Sequence, residues 1–85
     1  MSARQTLRTP DQLGLVLQAA RKARKLSQTA LAARVGLSQS RVSQLEQHAG
    51  ALSVDQLLAW TAALDLEITV GSRDEVADRR HVAEW

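Results

Sequence analysis

The chain has 85 residues, with 11 Lys+Arg against 9 Asp+Glu, no cysteine, and two tryptophans as its only aromatic side chains. That length supports one small core and leaves little room for a deep catalytic pocket. Without cysteine there is no disulfide, thiol nucleophile or thiolate metal site, and His48 and His81 are too few imidazoles for a metal cluster. No apolar run approaches the roughly 18 residues a bilayer span needs. The opening residues hold no apolar signal core, so a cytoplasmic protein is expected. Charge is divided along the chain: residues 1–45 carry eight basic side chains and one acid, residues 46–85 three basic side chains and eight acids. A polyanion is the natural partner for the first half.

After an N-terminal arm (1–9) that holds Arg4 and Arg8, four helix starts follow from capping chemistry. Thr9-Pro10-Asp11-Gln12 supplies a hydroxyl cap, a proline at the first helical position, an acid in the first turn and a glutamine to close a capping box. Ser27, Ser38 and Ser53 repeat the cap, each preceded by leucine (Leu26, Leu37, Leu52) and followed at the fourth helical position by Leu31, Val42 or Leu57, which makes three hydrophobic staples. Gly36 stands where the second helix must stop in a left-handed conformation. The pattern predicts helices over 10–24, 28–35, 39–47 and 54–64. Their inward residues are Leu13, Val16, Leu17 and Ala20, then Leu31 and Val35, Val42 and Leu45, and Leu57, Leu58 and Ala62. Trp60 belongs to the core or to an interface, and His48 is expected to cap carbonyls at the end of the third helix.

The period then changes. Leu66-Glu67-Ile68-Thr69-Val70 alternates apolar and polar residues, which predicts a strand over 65–71 with Leu66, Ile68 and Val70 on one face. No second strand is evident, and unpaired strand edges are costly, so the same strand of a second copy, antiparallel about a two-fold axis, is the expected partner. The alternatives are a frayed extension of the fourth helix or pairing with residues 5–8. Residues 72–85 read as a flexible charged tail that ends in Trp85.

The central text is Leu26-Ser27-Gln28-x-x-Leu31-Ala32-x-x-Val35-Gly36-Leu37-Ser38-Gln39-x-x-Val42-Ser43-x-x-Glu46. Two short capped helices joined across a glycine turn make a helix-turn-helix. Gln39, Ser40, Ser43, Gln44 and Gln47 stay outside the core of the third helix and share a face, uncharged and able to hydrogen-bond base edges. The alternative for such a face is ordinary solvation. Phosphate contacts would come from helix N-termini and nearby cations, for which Lys22, Arg24, Lys25 and Arg41 are the candidates.

This text resembles the Cro/CI repressor family of helix-turn-helix proteins. The resemblance implies an all-α domain over 10–64, base reading by Ser38, Gln39, Ser40, Ser43 and Gln44 (with Ser38 alternatively only a cap), a phosphate-clamping glutamine at Gln28, and a structural ion pair between Arg21 and Glu46. Two recognition helices of a homodimer would enter successive major grooves of a palindromic operator, about 34 Å apart.

A narrower resemblance covers almost the whole chain. A helix-turn-helix, the short strand Leu-Glu-Ile-Thr-Val, and a charged tail ending Glu84-Trp85 are similar to the HipB antitoxins. That likeness implies a bacterial, nucleoid-associated dimer that pairs its strands, represses its own operon as the antitoxin of a type II toxin-antitoxin pair, and binds a HipA-type serine/threonine kinase. Trp85 would be the toxin anchor, an indole that buries itself in a partner's pocket. The alternatives are a repressor without a toxin and a bridging module that uses the fold for protein contacts. Paired carboxylates, a nucleophile with its base, a phosphate loop and a metal cluster are all missing from the text, so neither catalysis, a cofactor nor a small-molecule substrate is expected.

Overall fold

The computed structural model describes residues 4–73. Four α-helices follow in order, α1 (Pro10–Ala23), α2 (Gln28–Val35), α3 (Gln39–Gln47) and α4 (Val54–Ala63), with a 3₁₀ turn at Ala49–Ala51 between the last two. Every α-helix starts on a hydroxyl. Thr9, Ser27, Ser38 and Ser53 accept hydrogen bonds from the backbone N–H groups of Gln12, Ala30, Arg41 and Gln56, and the first and last of these starts are complete capping boxes.

Three helices end alike. After α1, α2 and α4 a residue turns left-handed (Lys25, Gly36 and Asp65, φ 58, 74 and 57°), and the next residue is a leucine whose N–H reaches back to the last turn. Leu26 donates to Arg21 O at 3.1 Å, Leu37 to Ala32 O at 3.0 Å and Leu66 to Thr61 O at 2.8 Å. These are Schellman closures, in which the apolar residue after the left-handed one packs back on its helix. Leu26, Leu37 and Leu66 all pack against the core. Leu26 and Leu37 then serve twice, since each precedes the serine that caps the following helix. A left-handed, leucine, serine connector thus sets both turns around α2.

Lysine is costly in that conformation, by about 1 kcal/mol. Lys25→Gly is therefore expected to stabilise the domain by a few tenths of a kcal/mol to about 1 kcal/mol, after the added freedom of the unfolded chain is subtracted. A urea unfolding midpoint checks this; a lower midpoint would refute it.

The core is Leu17, Leu31, Ala32, Val42, Leu45, Trp60 and Leu64, all buried. Trp60 is enclosed completely. It sets the inward side of α4, with Leu57, Thr61 and Leu64 beside it at helical spacing. Leu58 and Ala62, expected inward, point the other way; Leu58 is 52% exposed. The reason is that α4 carries apolar residues around its whole circumference, so periodicity alone does not choose its buried side.

The segment after α4 differs as well. Residues 66–70 lie in neither helix nor strand in the single chain, and Leu66, expected in a pairing strand, is instead the closing leucine of α4, while Ile68 and Val70 are exposed. His48 closes α3 through its backbone N–H, which donates to Gln44 O at 2.8 Å. No helix among the described residues is long and apolar enough to cross a membrane.

Candidate nucleic-acid interface

A buried ion pair organises the site. Arg21, on the last turns of α1, donates through Nε to Glu46 Oε2 at 2.6 Å and through Nη2 to Glu46 Oε1 at 3.2 Å; Nη1 donates to the carbonyl of Leu26 at 2.8 Å. Both side chains are removed from water (9% and 3% exposed), so the two charges hold each other and tie α1, the turn before α2, and α3 together. The close approach of α1 to α3 depends on Gly14: a Cβ there would stand 2.5 Å from the carbonyl oxygen of Glu46.

The polar chain continues to the surface. Gln28, the first residue of α2, donates from Nε2 to Glu46 Oε1 at 3.0 Å, and Gln39, the first residue of α3, donates from Nε2 to Gln28 Oε1 at 2.7 Å. The ends of these amides are not free to flip. A carboxylate held by arginine only accepts, so Gln28 must turn its NH₂ inward and its oxygen outward, and Gln39 must therefore donate to it. Gln39 keeps one N–H and its carbonyl oxygen unused in this chain of bonds. That donor–acceptor pair matches the N7 and N6 edge of adenine.

The remaining candidates take different places. Ser40 and Gln44 are exposed on α3 and Ser43 is half-buried, while Gln44 Oε1 also accepts from Arg41 Nη1 at 3.3 Å. Ser38 is occupied as the cap of α3, accepting from the Arg41 N–H at 3.1 Å. Lys22, Arg24 and Lys25 are exposed together at the end of α1, next in sequence to the start of α2. Arg24 donates to Asp65 at 3.1 Å. Leu66, Ile68 and Val70 lie beyond α4, as described above, and Trp85 lies outside the described residues.

Sequence reasoning missed three contributors: Gly14, the left-handed Lys25 and the acid Asp65. Their only signal is negative, a glycine inside a helix and charged residues where a left-handed turn favours glycine or asparagine.

Comparison with known proteins fits this geometry. A family model described as Helix-turn-helix (HTH_3) matches residues 17–70. An uncharacterised HTH-type transcriptional regulator of Sinorhizobium fredii, y4dL, is 44% identical over 57 residues, 67% of this chain and 29% of its own length. The chain thus spans less than a third of that relative. No solved structure matches the chain.

Proposed function

The chain belongs to the helix-turn-helix family, and we propose that it acts as a DNA-binding transcriptional repressor that reads operator bases through the exposed face of α3. The observation that carries this reading is the bonded series Arg21, Glu46, Gln28 and Gln39, which presents a fixed donor–acceptor pair at the front of α3. Gln39, Ser40, Ser43 and Gln44 are the base readers, with Ser38 capping the helix that carries them. Lys22, Arg24, Lys25 and Arg41 hold phosphates through their side chains, and Gln28, whose side-chain NH₂ is turned to Glu46, does so through its backbone N–H at the start of α2. Selection then rests on amides and hydroxyls, and affinity on cations.

Two measurements separate these roles. Gln39→Ala is expected to weaken a selected operator by roughly 1–3 kcal/mol per lost contact while leaving random duplex nearly unchanged; equal losses on both would reject base reading. Lys25→Gly is expected to weaken both DNAs and to reduce the slope of log affinity against log salt by about 0.9, one phosphate's worth. An unchanged slope would remove Lys25 from the phosphate contacts.

We propose further that the repressor is a homodimer on a palindromic operator. Val54 and Leu58 are exposed one turn apart on α4, and Ile68 and Val70 follow in the segment beyond it, which gives a second copy an apolar surface to cover; pairing with the same segment of that copy would make a strand the single chain lacks. Within this reading, residues 1–9 are an arm, 10–64 the DNA-binding domain, 65–71 the dimerising strand and 72–85 a tail. The likeness of the text from Leu66 through Glu84-Trp85 to the HipB antitoxins supports the finer proposal of an antitoxin that binds a HipA-type kinase and represses its own operon. Deleting Trp85 should spare operator binding and reduce co-purification with the kinase; undiminished capture would reject Trp85 as the anchor, and no capture by the intact chain would leave a repressor without a toxin. The Sinorhizobium fredii relative is named an HTH-type transcriptional regulator, which both readings share.

A further inference from the structure

Of the four cations assigned to phosphate, Arg24 alone is paired with an acid among the described residues. Its Nη2 lies 3.1 Å from Asp65 Oδ2, across 41 positions of sequence, while the guanidinium of Arg41 meets the neutral Gln44. Stability does not account for the pair. Arg24 and Asp65 are 46% and 84% exposed, and exposed pairs contribute little to folding. Nor does backbone geometry call for a carboxylate, because asparagine and glycine suit the left-handed conformation at Asp65 at least as well. What the pair does is neutralise one guanidinium in the group Lys22, Arg24 and Lys25, at the end of α1 that leads into α2.

We propose that Asp65 is an internal stand-in for a DNA phosphate, competing with the duplex for Arg24 and setting how tightly the domain holds DNA of any sequence. The inference rests on the DNA-binding reading above. A carboxylate and a phosphate oxygen ask the same of a guanidinium, so Asp65 occupies one N–H of Arg24 and offsets the charge it offers to the backbone of DNA. Because the competition involves backbone charge alone, it lowers specific and non-specific affinity together and leaves base choice untouched.

The test uses the whole chain and sheared heterogeneous duplex DNA at low salt, read by fluorescence anisotropy, for the wild type, Asp65→Asn, Arg24→Gln and the double variant. Asparagine tolerates the left-handed turn, so far-UV circular dichroism and melting should be unaltered. Asp65→Asn is expected to bind up to about fivefold more tightly, and the gain should vanish when Arg24 is already glutamine. No gain, or an equal gain with and without the guanidinium, would overturn the proposal, the latter showing only the effect of one less negative charge. A wild type that binds no duplex at all would overturn the DNA-binding reading, and this inference with it; binding without the gain would overturn this inference alone.

Discussion

Glu46→Ala is expected to cost about 3–5 kcal/mol of stability, because it strands the buried guanidinium of Arg21 with a single carbonyl partner, Leu26. In a domain of this size each kcal/mol lowers the melting temperature by about 4–8 °C, so the transition should fall by at least about 12 °C or be lost. Thermal melts followed by circular dichroism give the answer; a shift of only a few degrees would mean that water reaches Arg21. The double substitution Arg21→Met with Glu46→Leu removes both charges at similar volume and should recover most of the stability. It should not recover operator discrimination, since Gln28 then has no carboxylate to orient it and the amide of Gln39 loses its fixed polarity. Stability and recognition separate in that pair of variants, which distinguishes an ion pair that only holds helices together from one that also aims a reader.

Gly14→Ala is the second large effect, and it runs against helix propensity. Alanine in mid-helix normally gains up to about 1 kcal/mol over glycine. Here the new methyl would lie 2.5 Å from the carbonyl oxygen of Glu46, with the Ala49 side chain 3.6 Å away, and a backbone oxygen in a packed helix has little room to give. Forcing α1 away from α3 should cost about 3 kcal/mol net, near the upper part of the usual range for overpacking. The displaced atom belongs to the residue that anchors Arg21 and Gln28, so DNA binding should weaken with it. Urea unfolding decides the point: a raised midpoint would mean that the helices do not meet so closely.

Much of the architecture is written locally, and that part is readable. A hydroxyl before each helix, a leucine before each of three serines, and a glycine after α2 act within four or five residues, and all four α-helices start where those signals stand. The ends of α1 and α4 are less legible. Their closures use the same left-handed turn and trailing leucine as α2, but with Lys25 and Asp65 in place of glycine, and nothing in a lysine announces such a backbone. The buried side of α4 is decided by Trp60 finding the core, a tertiary event that an apolar circumference conceals. Leu66 shows the same limit: an alternating pattern fits both a strand and a leucine folded back on its helix, and in the single chain the second use is the one found.

The site divides in the same way. That α3 offers a polar, uncharged face follows from which of its residues are apolar. That Gln28 and Gln39, 11 positions apart, bond to one another, and that Glu46 dictates the direction of both amides, needs the crossing of three helices. The Arg21–Glu46 contact was suggested by family resemblance and not by spacing.

On this reading the helix-turn-helix chain selects DNA sequence through a neutral face on α3. Selection of binders from a random duplex pool, followed by affinity measurement on the enriched and scrambled sequences at one salt concentration, tests it most directly. An enriched palindrome should emerge and bind at least about 10³-fold more tightly than its scrambled counterpart. A pool that yields no common sequence, or equal affinity for both duplexes, would contradict it.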